Sequence, residues 1–424
     1  MREMKDSGIE WVGKVPKIWS LKPIRALFDE VTEKNFLGTC SNALKFTYGS
    51  IVRKPNFDAD ADDYVASTIL NYTVVEPGTI MLNGLNLNFD FVSQRIGLVK
   101  EKGVITSAYM AFKPNEKHLI DSEFATYLFK AYDGCKAFHN MGGGVRKILN
   151  FNEFKKYYIP LPDLNEQHHI VDYLDTKCSE IDATAEDIQK EISLLEEYKK
   201  SVITEAVTKG LNPDAEMKDS GIEWIGEIPK HWESIKGKYV LEYLQKPIKD
   251  DDGVITCFRD GEVTLRSNRR EDGFTLSDKE IGYQGIDVGD LVVHGMDGFA
   301  GAIGISDSRG KAYPVLNVLN SKYNKRYLMY YLRSMAFSNI FVALASGIRV
   351  RSCDLRWNKL AELPYPTTNY AEQTEIVNYI DTKCSEIDSL IADKKRQLDI
   401  LADYKKSLIY EYVTGKKEVP VNDF

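Results

Sequence analysis

The chain has 424 residues, 43% hydrophobic and 28% charged, which excludes a disordered chain and fits two to four globular domains. No run approaches the roughly 18 apolar residues of a membrane-crossing helix, residues 1–16 lack the apolar core of a secretory signal, and the six cysteines are scattered without a CxxC. A reducing cytoplasm is expected, with no zinc ribbon, disulfide framework or membrane association. The net charge of −8 speaks against a uniformly basic nucleic-acid binder, but it is unevenly spread: residues 161–215 hold 5 Lys+Arg against 13 Asp+Glu and residues 367–424 hold 8 against 11, whereas residues 1–160 hold 21 against 18 and residues 216–366 hold 21 against 21.

The chain opens on Lys5-Asp6-Ser7-Gly8-Ile9-Glu10-Trp11-Val12-Gly13, with Pro16 to Trp19 behind it. β-branched and aromatic runs predict strands over 43–52, 73–81 and 104–112, followed by a helix over 124–138. Basic and amide side chains gather between these elements: Lys45, Arg53, Lys54, Asn83, Asn86, Asn88 and Arg95, then Arg146 and Lys147 after Gly142-Gly143-Gly144. Arg and Lys suit phosphates or guanine edges, Asn can read adenine, and the glycines would let backbone approach a phosphate. A Pro160-Leu161-Pro162 elbow then leads into residues 166–209, which contain neither Pro nor Gly and stop at Gly210. There Leu174, Cys178, Ile181, Ala185, Ile188, Ile192 and Leu195 alternate spacings of four and three, the a/d seam of a coiled coil.

The second half repeats the first. Lys218 to Gly226 returns the opening motif at an offset of 213, again followed by a Pro-Lys-x-Trp, Pro229 to Trp232. Strands are expected over 254–258, 290–293 and 312–318, and a helix over 326–338. The second set of polar candidates is Arg259, Arg266, Asn268, Arg269, Arg270, His294, Arg349 and Arg351; residues 259–272 show no counterpart in the first half. After Pro364-Tyr365-Pro366, residues 371–414 are again free of Pro and Gly. Ile380, Cys384, Ile387, Ile391, Lys394, Leu398 and Leu401 continue the seam, with Lys394 as its one charge. Asp175 to Asp182 returns as Asp381 to Asp388, and Tyr198 to Ser201 as Tyr404 to Ser407, at an offset of 206. The fold class is therefore α+β: two mixed α/β segments joined by two long helices, each a rod of roughly 60 Å at 1.5 Å per residue. The narrow seam favours pairing of the helices as an antiparallel intramolecular coiled coil, pseudo-twofold symmetric; packing of each helix on its own α/β segment is the alternative.

Catalytic patterns are missing from the sequence. There is no GxxxxGK[ST], no Asn/Asp-Pro-Pro-Tyr, no HExxH and no HxE…PCxxC. Pro213 to Lys218 mimics a nuclease PD…ExK only as contiguous linker residues, where a metal site needs carboxylates converging from a folded core. His168 and His169 at a helix start are read as surface or capping residues, and His294, absent from the first copy, as a loop contact. No catalytic or metal-binding residue is expected.

The openings at Met4–Trp19 and Met217–Trp232, and the Pro160-Leu161-Pro162…Glu166-Gln167 and Pro364-Tyr365-Pro366…Glu372-Gln373 entries to the long helices, resemble the specificity subunits of type I restriction–modification systems. Gly289-Asp290 also resembles the family's strand start, where the first copy departs with Gly78-Thr79. The resemblance spans the chain. It implies target-recognition domain 1 over 1–160, a long helix over 161–212, target-recognition domain 2 over 213–366, and a second helix with a tail over 367–424. It further implies a non-catalytic subunit of the prokaryotic cytoplasm in which each domain reads one half of a bipartite asymmetric site in double-stranded DNA. The helical pair would set the spacer and dock two methyltransferase subunits, with restriction/translocase subunits joining them. No cofactor is implied for this chain; S-adenosylmethionine, ATP and Mg are implied for the partners. A structural coiled-coil scaffold and a stand-alone DNA-modifying enzyme are the competing readings.

Overall fold

The structure, a computed structural model, describes residues 2–55, 68–87, 94–117, 119–144, 147–269, 281–344 and 355–420. It is α+β and divides into two compact units, Met1–Ile188 with Arg396–Phe424, and Gln189–Lys395.

In the first unit, Phe28–Glu30 (β1), Ile80–Leu82 (β2), Ile96–Leu98 (β3) and Met110–Pro114 (β4) form an antiparallel sheet in the order β1-β4-β2-β3. Ser122–Gly134 (α1) is capped by Asp121, whose carboxylate accepts the amides of Glu123 and Phe124. Its buried Phe124, Leu128, Phe129 and Tyr132 share one core with Phe28 and Phe112. The Phe112 and Phe129 rings meet edge to face at 5.7 Å. The chain then enters Leu164–Lys209 (α2).

Three expected strands are each broken by a turn. The run 43–52 is a hairpin in which Leu44–Thr47 pairs with Ser50–Arg53 across Tyr48-Gly49, both at positive φ (47° and 73°). That handedness matches the twist of paired strands, although holding a tyrosine there costs about 1–2 kcal/mol. The run 73–81 divides into Thr73–Val75 and β2, and 104–112 into Gly103–Ile105 and β4. The helix expected over 124–138 stops at Gly134, and Phe138–Met141 forms a separate turn.

The second unit reproduces this plan. Glu242–Leu244 (β5), Leu291–His294 (β6), Ile303–Ile305 (β7) and Leu316–Asn320 (β8) lie in the order β5-β8-β6-β7. Lys325–Phe337 (α3) takes the place of α1, capped by Asn324. The run 312–318 divides, like its counterpart, into Gly310–Ala312 and β8. Ile255–Cys257 pairs with Val263–Leu265 as a hairpin, so the segment from Arg259 has a structural counterpart that its sequence conceals. The second long helix is Tyr370–Val413 (α4).

The entries to the long helices explain the repeated motifs. Asp163 accepts the Glu166 amide at 2.9 Å, and Asn369 accepts that of Glu372 at 2.9 Å, each an N-cap. The two glutamates then accept the indole N–H of Trp19 (2.9 Å) and Trp232 (3.0 Å). Gln167, fully buried, donates to the Leu119 and Pro162 carbonyls and accepts the Asp121 amide; Gln373 donates to the Thr368 carbonyl and accepts the Asn324 amide. The Trp and Glu-Gln pairs thus tie each opening motif and each cap of α1 or α3 to a helix start.

Within each unit, α2 and α4 contribute segments whose contacts run in opposite directions. In the first unit Asp182 pairs with Lys405 at 2.6 Å and the Tyr173 ring lies 4.6 Å from that of Tyr412. In the second, Asp388 pairs with Lys199 at 2.6 Å and Glu191 with Lys394. Lys394 therefore sits at the edge of the seam with a partner of its own. Leu174, Cys178, Ile181, Ile188 and Ile192 are buried, as are Ile380, Cys384, Ile387 and Ile391, whereas Ala185, Leu195, Leu398 and Leu401 are half-buried. Toward its ends the seam widens: Ile170, Val171, Leu408, Ile409 and Val413 join the core of the first domain. Helix-to-helix and helix-to-domain packing therefore both occur.

The helices end differently. At Gly415 (φ 69°) the Lys416 amide donates to Glu411 and the Gly415 amide to Tyr412, a Schellman pair of bonds. At Gly210 (φ 75°) a single bond runs to Ala206. Both glycines face the tryptophan of an opening motif: Gly415 abuts Pro16 and Trp19, Gly210 abuts Trp232.

Candidate nucleic-acid interface

In the first unit the basic candidates sort into surface and buried groups. Lys45, Arg53 and Lys54 belong to the 44–53 hairpin and its exit. The hairpin's inner face, Phe46 and Ile51, packs against Gly97 of β3 and the Tyr109 ring, so alternation turns Lys45 and Val52 outward. Arg53 is exposed and donates to Asn42 at 2.9 Å. Arg95, in contrast, is buried: its guanidinium donates to the carbonyls of Asn83 (2.9 Å), Leu85 (2.8 Å) and Asn86 (3.3 Å). It shapes the loop that carries Asn83 and Asn86 and presents no cation of its own. Gly142 is needed for packing, since a Cβ there would lie 2.7 Å from Leu87; Gly143 and Gly144 have open space above them, and half-buried Lys147 follows in a left-handed conformation (φ 41°). Asn88 and Arg146 lie outside the described residues.

In the second unit the candidates are mostly engaged with carboxylates or rings. Arg259 pairs with Asp297 at 2.9 Å. Arg269 bridges Asp260 (2.6 Å) and Glu262 (3.0 Å) and lies 4.2 Å over the Phe258 ring; its hydrogen bond holds the Asp260 carboxyl below the usual range. Arg266 is buried, donating to Tyr313 and Thr256, and Asn268 donates to Thr264. His294 Nδ1 accepts the amides of Met296 and Asp297. Burial pushes its imidazolium pKa down, so the ring is a neutral loop anchor near pH 7. Arg270, Arg349 and Arg351 lie outside the described residues. His168 and His169 are exposed on the first turns of α2, and among the described residues no three His, Cys, Asp or Glu side chains gather as a metal site. No described helix is long and apolar enough to cross a membrane.

One surface escaped the sequence reading. In the second unit Leu194, Tyr198 and Leu390 remain exposed (69%, 55% and 51%) and, with Leu195, Glu191 and Lys394, line a groove of about 400 Å³. The counterparts of Leu194 and Tyr198 in the first unit, Ile400 and Tyr404, are exposed as well. The available signal was apolar residues lying off the a/d seam of an otherwise charged helix.

The family model described as the type I restriction modification DNA specificity domain matches residues 23–194. The Type I restriction enzyme MjaVIII specificity subunit of Methanocaldococcus jannaschii is 26% identical over 230 residues, 54% of this chain and 50% of that one. The chain spans about half the length of the curated relatives it matches. Among solved structures, a chain from a study of complex assembly and conformational transition of the type I R-M system is similar with a TM-score of 0.67 at 14% identity, covering 95% of this chain and 99% of that one. The HsdS subunit of Thermoanaerobacter tengcongensis is similar with a TM-score of 0.50 at 13% identity, covering 95% and 98%. At these identities the two structures speak to the fold.

Proposed function

We propose that this chain is a type I restriction–modification specificity subunit, which supplies the DNA sequence specificity of such a complex in the prokaryotic cytoplasm and catalyses nothing itself. Each recognition domain reads one half of a bipartite, asymmetric site. The observation that carries this reading is one scaffold built twice, with the same strand order and the same helix entries, bearing unlike tips and loops. Loops on a rigid support are where recognition residues sit.

Surface cations, Lys45, Arg53, Lys54 and Lys147 in the first domain and Arg259 and Arg269 in the second, are the phosphate or base contacts. Buried Arg95 and Arg266, with Asn83, Asn268 and His294, hold the loops in shape, and the exposed Asn86 side chain joins the contacts. The two helix pairings continue as one antiparallel coiled coil that sets the spacer. Its exposed Leu194, Tyr198, Leu390, Ile400 and Tyr404 receive the methyltransferase subunits, which supply S-adenosylmethionine chemistry; restriction/translocase subunits add ATP- and Mg-dependent steps. The acidic helical segments suit protein partners, because carboxylates repel DNA phosphates.

Base-resolution methylation mapping in cells with and without this chain tests the reading. A bipartite motif methylated only when the chain is present is expected, and exchanging residues 20–150 for those of a relative should change one half of it. Methylation independent of the chain, or a purified chain that methylates DNA alone, would overturn the reading.

A further inference from the structure

The 44–53 hairpin carries a residue that its fold does not require. A two-residue turn with positive φ at both positions is best filled by Asn, Asp or Gly. Here the first position is Tyr48, at φ 47° and 84% exposed. The ring makes no hydrogen bond or ring contact with any described residue, so among the described residues none repays the strained backbone through such a contact. Unrepaid strain of this kind marks functional positions.

The surroundings identify what the ring meets. Residues 41–55 include Lys45, Arg53 and Lys54 and no Asp or Glu, in a chain whose net charge is −8. The inner face of the hairpin is fixed to the sheet: a Cβ on Gly97 would already lie 3.0 Å from Ile51 and 3.1 Å from Phe46. A rigid, wholly basic hairpin thus ends in one exposed aromatic ring. The counterpart hairpin in the second unit shows that the scaffold does not need this. There the aromatic, Phe258, is buried beneath Arg269, and the tip carries Asp260 and Glu262. Phosphates suit these cations, and the base edges and thymine methyl groups exposed in a duplex groove offer the apolar contact that an aromatic side chain makes.

We propose that Tyr48 is a base-contacting residue of the first recognition domain, its ring packing against a nucleotide of that half-site while Lys45, Arg53 and Lys54 hold the flanking phosphates. This inference rests on the reading of the chain as a DNA-specificity subunit. Tyr48→Asn separates recognition from folding, because Asn suits the turn better than Tyr. In the complex assembled with its methyltransferase subunits, Tyr48→Asn should raise the melting temperature by about 2–4 °C and weaken binding to a duplex carrying the mapped motif by about tenfold or more. Tyr48→Phe should keep most of that binding.

Wild-type affinity in Tyr48→Asn, with wild type itself specific for the motif, would overturn this proposal and leave the parent reading intact. Normal DNA affinity combined with impaired assembly would overturn it in favour of a protein contact. Absence of motif-specific binding in wild type would remove both proposals.

Discussion

The two helix-ending glycines make a matched pair whose substitution separates backbone strain from packing. Gly210 and Gly415 have nearly the same φ (75° and 69°), so an alanine at either bears the same left-handed penalty, about 1–2 kcal/mol. They differ in what the new methyl group meets. At Gly210 the nearest atoms are Trp232 Cζ2 at 3.3 Å and Glu372 Oε1 at 3.7 Å, which a small adjustment accommodates. At Gly415 they are Pro16 Cδ at 2.4 Å, Pro16 Cγ at 2.5 Å and Trp19 Cη2 at 3.0 Å. Those atoms belong to a rigid ring and to a buried indole already bonded to Glu166. Overpacking of this kind adds about 1–3 kcal/mol. Gly210→Ala should therefore lose about 1–2 kcal/mol and Gly415→Ala about 2–5 kcal/mol. Urea unfolding of the full chain measures the totals. Hydrogen exchange localises them, with residues 2–30 and the last turns of α4 exchanging faster in Gly415→Ala only. Equal losses, or a larger loss at Gly210, would refute the close approach of the chain's opening segment to the end of α4.

Three further outcomes follow from named contacts. Gln167→Leu removes both donors and the acceptor that serve Leu119, Pro162 and Asp121, and should lower stability by about 2–4 kcal/mol in urea titration; a loss below about 1 kcal/mol would show that these groups find other partners. Asp287 is held at a pKa of about 2 by hydrogen bonds from Lys246 and Arg309, so its stabilisation is present above the unfolded value near 4 and lost as pH falls toward 2. Asp287→Asn should accordingly melt lower than wild type at neutral pH, with the gap closing between pH 4 and 2; a gap independent of pH would contradict the assignment. Inserting one heptad into each of α2 and α4, about 10 Å, should lengthen the unspecified spacer by about three base pairs, and an unchanged spacer in methylation maps would remove the helices' role as a ruler.

What was legible in the sequence was what is local and periodic. The seam from Leu174 to Ile192 and from Ile380 to Ile391, the Pro-rich elbows before the two long helices, and the stops at Gly210 and Gly415 are each specified within a few residues. Turns inside β-rich runs were hidden, because Tyr48-Gly49 lies between Phe46 and Ile51, residues that would read the same in one long strand. The fate of cations was hidden for a different reason. Arg95 and Arg53 look alike in sequence, and only carbonyls folded around Arg95 make it a buried strap. Division into units was invisible too, since Asp182 meets Lys405 across more than two hundred residues.

Identity between the halves is concentrated where the same contact is made twice. Trp19 with Glu166 repeats as Trp232 with Glu372. Asp175, which accepts the Tyr127 hydroxyl, repeats as Asp381, which takes Tyr330 and Arg326. The pair Asp182–Lys405 repeats as Asp388–Lys199, with each partner drawn from the other half of the chain. A change in one copy of a helix is therefore felt against the other copy, whereas a change at a hairpin tip is not, which accounts for repeated helices and unlike tips. The argument has a direct test. Lys405→Asp faces Asp182 with a second carboxylate, and adding Asp182→Lys restores an opposite-charge pair. Because these side chains are about one-third and two-thirds exposed, the double-mutant cycle should give a coupling of only about 0.2–1 kcal/mol, shrinking as salt is raised. Lys199→Asp with Asp388→Lys should give a coupling of the same sign and similar size. Zero coupling in both cycles would mean that the helices are held by their apolar seam alone, and the retention of these charges in both copies would then need a partner outside the chain.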